Sequence, residues 1–292
     1  MTEARIGIIG GSGLYRMQDL QITDQVKVDT PFGEPSDAYL IGKLAGREVV
    51  FLSRHGQGHR LVPSALNFRA NIYGMKKLGV EWIISVSAVG SMQERIRPGD
   101  IVVPDQFFDR TKNRIQTFFP PGIAVHIAFA DPVCPHLSRL LFEAGCQVGA
   151  SMHAGGTYLC IEGPQFSTRA ESRIYRQWGV DIIGMTNIPE AKLAREAEIC
   201  YATLALVTDY DCWHEEEEDV SVESILQIMQ QNVQTAQRII GEAVSRFPLP
   251  RDCPCAEALK GAIVTSPEAI PEPLRQEYAL LIGKYMTGTQ ET

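Results

Sequence analysis

CYATLALVTDYDCW, residues 200–213, is an apolar run of β character that ends in two carboxylates, Asp209 and Asp211. In extended backbone, side chains two positions apart point to the same side. Two acids at the carboxyl end of a buried strand therefore share one pocket, at the edge where open α/β sheets place their ligands. An apolar strand needs no acids for stability, and paired carboxylates repel, so the pair reads as a site in which one pKa is raised. The competing readings are a solvated turn with Asp209 capping the next segment, and a divalent-cation site. The rest of the chain decides between them.

Outward from this strand, short β-branched runs at 6–9, 49–52, 82–86, 101–103, 158–161 and 181–185 alternate with helical patterns. The expected fold class is α/β, a mixed or parallel sheet covered by helices. Ser64 stands ahead of a helix over 67–78 that Gly79 closes, and Thr168 with Glu171 forms a capping box ahead of a helix over 169–178. A third helix opens after Pro189, and a long amphipathic one follows Ser221, with apolar residues at three- and four-residue steps from Val222 to Ile240. The charge run 215–219 reads as a solvated loop. After Pro248 the chain turns Pro-rich and weakly patterned.

The 292 residues are 45% hydrophobic and 21% charged, the composition of an ordinary soluble domain. A net charge of −8 argues against a nucleic-acid or membrane partner, so a bound anion must be captured locally. The opening MTEARIGIIGG lacks a signal-peptide core, and no apolar run reaches the roughly 18 residues of a membrane span. The expected location is cytoplasmic. Seven cysteines, an odd number, suit reduced thiols better than a disulfide framework. Cys253-Pro254-Cys255 reads as a solvent-side pair near a turn, with a redox or stabilising disulfide as the minority reading. No cluster of metal ligands is legible, which disfavours a cation site on the two acids.

Four strands end in anion donors. Gly10-Gly11-Ser12-Gly13 follows the first, and its amides with the Ser12 hydroxyl suit an anion or simply a tight turn. It has neither dinucleotide-fingerprint nor P-loop spacing. Arg54 and His55 follow the second, where a guanidinium can grip phosphate through paired N–H bonds. Ser87 and the amide of Ala88 open a small-residue loop, 87–91, after the strand at 82–86, and Thr186 follows the strand at 181–185. One such ending is a turn; four that converge make a phosphate site. In Glu162-Gly163-Pro164-Gln165-Phe166 the aromatic ring suits stacking on a flat ligand or core packing.

The segments IGIIGGSGL (6–14), DTPFGEPSD (29–37), IEGPQFSTRAES (161–172), MTNIPEA (185–191) and TDYDCW (208–213) resemble the trimeric purine nucleoside phosphorylase family. Within it they are most similar to the S-methyl-5′-thioadenosine branch. The resemblance runs over about residues 4–245. It implies one phosphorylase/hydrolase-like α/β domain over 1–248, with a partly barrel-like mixed sheet flanked by helices. An arm or tail over 249–292 is then packed on the domain or partly disordered. It implies phosphate contacts from Ser12, Arg54, His55, Ser87, Ala88 and Thr186, ribose contact from Met185, and base contacts from Phe166, Asp209 and Asp211. Ser167 and Val222 match specificity positions, and His126 matches a histidine that reaches a neighbouring subunit's ligand, so a homotrimer is implied. Gly184 departs from an Asn frequent in relatives, which bears on base affinity rather than on chemistry.

The implied reaction is phosphorolysis of methylthioadenosine to adenine and methylthioribose 1-phosphate, with no metal or organic cofactor and with inorganic phosphate as co-substrate. Bound phosphate stabilises an oxocarbenium-like sugar, and protonation of the base at N7 adds a general-acid factor of about 10²–10⁴. Asp209 is the expected proton donor and Asp211, ionised, the acceptor for the exocyclic amino group. A 6-oxopurine would turn a lone pair toward that carboxylate. The nearest rival is a purine nucleoside phosphorylase acting on adenosine or 6-oxopurine nucleosides, including methylthioinosine. A hydrolytic nucleosidase would not need Arg54 and Thr186, and a non-enzymatic nucleotide-binding protein leaves the acids unexplained.

Overall fold

The computed structural model describes residues 5–286 except 12, 15, 16, 18, 215–221, 250 and the side chains of 222–226. Ser12, the side chain of Val222 and the charge run at 215–219 thus lie outside the described residues. The strands are β1 (Arg5–Gly10), β2 (Gln21–Val26), β3 (Tyr39–Leu44), β4 (Arg47–Ser53), β5 (Val80–Ser91), β6 (Ile101–Val103), β7 (Gln106–Arg110), β8 (Met152–Ala154), β9 (Thr157–Ile161), β10 (Ile182–Gly184) and β11 (Cys200–Asp209). The helices are α1 (Phe68–Lys77), α2 (Pro135–Gln147), α3 (Arg169–Gln177), α4 (Asn187–Glu196), α5 (Val222–Ser245), α6 (Glu272–Glu277) and α7 (Ala279–Met286).

β5 is the spine of one mixed sheet. Ser85 is paired with Ile9 of β1 and with Thr203 of β11, and Gly90 with Ile183 of β10 and with Asp209, so β1 and β10 succeed each other along one edge while β11 follows the other. From β1 the sheet continues through β4, β3 and β2; from β10 through β9 and β7; from β11 through β6 and β8. β1, β4, β5 and β11 run parallel, which brings their carboxyl ends to one side.

Apolar residues on β5 and β11 bury both faces of the sheet. Ile83, Tyr201 and Val207 enter the core with α1, α4 and α7, and Ile84, Ala202 and Leu204 enter the one with α2 and α5. Strands covered on both sides read as continuous apolar runs, which is why these were legible. The exposed and polar β2, and β7 with its alternating exposure, carry no such run, and sequence patterning reveals neither. Patterning also ends β5 too early. Residues 87–91 are not a loop but strand: Ser87 to Gly90 pair with β11 along one edge, and Gly90 and Ser91 with β10 along the other. The small residues permit close approach: a Cβ on Gly90 would lie 2.9 Å from Asp209 Oδ1.

Helix ends follow local chemistry. Thr168 and Glu171 form the reciprocal capping box of α3, as expected. At α1, Asn67 rather than Ser64 is the cap, its side chain accepting from the Ala70 amide. Ser64 instead donates to Glu162 Oε1 at 2.7 Å. The arm beyond α5 packs back: Cys253, Cys255, Leu259, Ile270, Leu281 and Ile282 are all buried. Cys253 and Cys255 are therefore core residues, not the solvent-side pair expected from sequence, because the arm packs there against Cys134 at the start of α2 and against the start of β11.

Candidate functional site

At the carboxyl ends of the strands lies a cavity of about 680 Å³. Its wall includes Gly11, Gly13, Arg54, His55, Ser87, Ala88, Phe166, Ser167, Met185, Thr186, Asp209 and Asp211. The strand register explains the convergence. Gly10 is level with Ser53 across β1 and β4, and Ile9 with Ser85 across β1 and β5, so Gly11, Arg54 and Ser87 emerge side by side.

Arg54 is 2% exposed and forms a two-pronged ion pair with Glu190 of α4, Nε to Oε2 at 2.7 Å and Nη2 to Oε1 at 2.8 Å. Nη2 also donates to Ser85 Oγ at 2.7 Å, and Nη1 to the Val86 carbonyl at 2.8 Å. Burial works against the charge, but the Glu190 carboxylate outweighs it and holds the guanidinium above its ordinary value. The paired N–H edge that sequence reading gave to phosphate is thus occupied by Glu190. A guanidinium has five N–H groups, and one on Nη1 is left for an anion. Glu190, itself fully buried, also accepts from Ser85 and Tyr201.

His55 stacks on His59 with ring centroids 4.3 Å apart. Burial, then the charge of Arg54, pushes its pKa down to about 4, so the ring is neutral at physiological pH. Its Nδ1 is 2.8 Å from the Leu61 carbonyl, which accepts the ring's single proton. Nε2 is then an acceptor, suited to a protonated phosphate oxygen rather than to a bare anion. Ser87 Oγ lies 2.9 Å from Thr186 Oγ1 and 3.0 Å from the Tyr158 hydroxyl, a compact group of hydroxyls close to Arg54 and His55 in the cavity wall.

At the other end stand the two acids. Asp209 Oδ1 accepts from the Asp211 amide at 2.8 Å and Oδ2 from Thr208 Oγ1 at 2.6 Å. Asp211 has a left-handed backbone, φ 55°, a conformation Asp tolerates better than most residues. Burial, reinforced by the charge of Asp209, raises the Asp211 pKa. One member of the pair is raised, as expected; that member is Asp211, which the sequence reading takes as ionised. Phe166 is 84% exposed at the cavity mouth, so its ring is not core packing and its face is open to a flat ligand. Ser167 Oγ is buried without a hydrogen-bond partner among the described residues, and Ser167 borders the same space. Gly184 lines the cavity too; a Cβ there would meet the Tyr158 hydroxyl at 2.0 Å, so an Asn cannot enter without moving Tyr158.

Three positions stand apart. Ser12 lies outside the described residues, as does the side chain of Val222 at the start of α5. His126 is exposed and is not in the wall of this cavity; its amide donates to the Ala262 carbonyl at 2.9 Å. Sequence reading missed Glu190, Tyr158 and Arg114. Arg114 Nη1 donates to the carbonyls of Met185 at 2.8 Å and Ile188 at 2.6 Å, and Nη2 to that of Glu162 at 2.7 Å, fastening the segments after β9 and β10 to each other. Nothing local marks such partners, since they meet only through tertiary contacts; for Glu190 the one available signal was an acid immediately after the Met185–Pro189 strand end.

Residues 5–245 match the family model described as the phosphorylase superfamily. An S-methyl-5′-thioadenosine phosphorylase of Geobacter sulfurreducens is 60% identical over 97% of this chain and 100% of its own length. Among solved structures, a methylthioadenosine phosphorylase from an antarctic soil metagenomic library superposes with a TM-score of 0.90 at 52% identity, covering 96% of this chain and 99% of the other. A methylthioadenosine phosphorylase of Schistosoma mansoni in complex with adenine gives 0.83 at 35% identity over 89% of this chain and 99% of the other. With an α/β fold that gathers a hydroxyl-rich anion end and an acid pair around one cavity, and with a family match over most of its length, this chain belongs to the phosphorylase superfamily.

Proposed function

We propose that the protein is a pentosyltransferase that cleaves S-methyl-5′-thioadenosine with phosphate, releasing adenine and S-methyl-5-thio-α-D-ribose 1-phosphate for purine and methionine salvage. The observation that carries this reading is one cavity with hydroxyls and Arg54 at one end and two acids at the other. The curated relatives of the same name support it over nearly the whole chain.

Phosphate lies against Ser87, the Ala88 amide, Thr186 and the remaining Arg54 Nη1 hydrogen, with a protonated oxygen donating to His55 Nε2; Ser12 completes the set. Held beneath the sugar, it is both nucleophile and counter-charge to the oxocarbenium ion. Met185 meets the ribose and Phe166 lies against the purine. The adenine amino group donates to Asp211, and Asp209, protonated in the complex, delivers its proton to N7 as the C1′–N9 bond breaks. The Thr208 hydroxyl, with Asp209 Oδ2 at 2.6 Å and the Val89 carbonyl at 3.2 Å, turns to Val89 when Asp209 is protonated. Catalysis requires no metal and no organic cofactor. Ser167 and Val222 tune specificity. His126, exposed and away from its own cavity, serves a neighbour's pocket in a homotrimer. The seven free thiols support a cytoplasmic enzyme, and no described helix is long and apolar enough to cross a membrane.

The two acids disfavour a 6-oxopurine, whose lone pair would face Asp211. Steady-state kcat/KM for methylthioadenosine, adenosine and methylthioinosine, measured side by side, tests the assignment. The expected order has methylthioadenosine first and methylthioinosine at least about tenfold lower, the order of effect of one mispaired buried polar group. Preference for methylthioinosine contradicts it.

A further inference from the structure

At the opposite end of β11 from the acid pair, roughly 30 Å away by strand length, four thiols meet. Cys134 is the N-terminal boundary of α2, Cys200 opens β11, and Cys253 and Cys255 come from the arm beyond α5. All four are buried, and their sulfurs lie within 4.8 Å of one another. Cys134 Sγ is 3.8 Å and Cys200 Sγ 3.4 Å from Cys253 Sγ.

A tetrahedral zinc ion with Zn–S bonds of about 2.3 Å separates its sulfurs by about 3.8 Å. The Cys134–Cys253 separation matches that edge, and the Cys200–Cys253 separation falls a little short of it. Disulfides would instead draw the sulfurs together two by two at about 2.0 Å, whereas here each sulfur is a near neighbour of all the others. We propose that Cys134, Cys200, Cys253 and Cys255 bind one zinc ion as a structural tetrathiolate site that fastens the C-terminal arm to the sheet. Sequence inspection found no ligand cluster because the donors are dispersed over three segments that only the fold unites.

Zinc entry expels the thiol protons to solvent as the thiolates form, and Arg195, whose charge acts on Cys255, offsets part of the anionic charge of the filled site. The consequence reaches along the arm. Just beyond the cluster, Ala262 accepts from the His126 amide, and the Val264 amide donates to the Ala124 carbonyl at 2.8 Å. An ion that anchors Cys253 and Cys255 thus steadies the segment on which the loop carrying His126 rests.

The test uses the full-length protein, produced in zinc-supplemented medium and purified under reducing conditions without chelator. Elemental analysis is expected to find one zinc per chain. Cobalt exchanged into the wild-type protein is expected to show the ligand-field bands and thiolate-to-cobalt charge transfer of a tetrahedral tetrathiolate. Cys255→Ser is expected to lose the metal, and Cys146→Ser, at an exposed cysteine outside the cluster, to keep it. Chelator treatment of the wild type is expected to lower its melting temperature and zinc to restore it. Should Cys255→Ser fail to fold, the cobalt spectrum of the wild type decides. Metal-free protein without a charge-transfer band, or intact-mass evidence that these cysteines are disulfide-linked, overturns the proposal.

Discussion

Asp209 and Asp211 are adjacent in space yet have separable duties, and single replacements distinguish them. Asp209→Ala removes the proposed proton donor and is expected to lower kcat for methylthioadenosine by about 10²-fold or more, with KM for phosphate nearly unchanged, in steady-state assays. Asp211→Asn offers an amide that can turn its NH₂ toward a 6-oxo group, so the ratio of methylthioinosine to methylthioadenosine activity is expected to rise. Near wild-type turnover in the first variant, or an unmoved ratio in the second, makes the acids structural. Glu190→Ala leaves the Arg54 guanidinium buried without its counter-charge, a loss of about 3–5 kcal/mol of stability by denaturant titration. The acids were legible because they end an apolar strand. The Glu190 partnership was not, because its two members are 136 positions apart in sequence and no local pattern encodes such a contact.

Among the elements, α3 and α4 carry measurable local chemistry. Thr168→Ala removes one half of the α3 capping box and is expected to cost about 1 kcal/mol in denaturant unfolding. In α4, burial raises Glu196 to about 7, although the Phe118 amide and the Thr117 hydroxyl donate to it. Between the ordinary value of 4.5 and about 7 the folded state binds more protons than the unfolded one, so this group's contribution to stability is full below that window and is lost as pH rises through it. His55 acts in the opposite sense: its folded value of about 4 lies below the usual 6.5, the unfolded state binds more protons between them, and stability falls as pH drops through that range. Melting temperatures of Glu196→Gln against wild type, followed from acid to neutral pH, are expected to show the variant losing less stability as pH rises. Equal slopes would remove the role assigned to Glu196. Helices with caps and strands buried on both faces were readable from sequence. Edge strands such as β2 were not, since exposure removes the apolar pattern.

For the molecule as a whole, the hydroxyl-rich end of the cavity, its acid pair and the arm are brought together by one forked sheet, whose shared strand β5 places Ser87 and Gly90 on the same cavity wall. If His126 completes a neighbour's pocket, light scattering is expected to find a trimer and His126→Ala to raise KM for methylthioadenosine more than it lowers kcat; a fully active monomer contradicts this. The family resemblance made the fold class legible through its long motifs, whereas the four-thiol cluster became visible only once the arm was folded back. The central claim is that phosphate is the nucleophile in the cavity. Adenine release from methylthioadenosine, followed in phosphate-free buffer and again with added phosphate, tests it most directly. Release that depends on phosphate and yields methylthioribose 1-phosphate is the expected result; equal release without phosphate, yielding free methylthioribose, would contradict it.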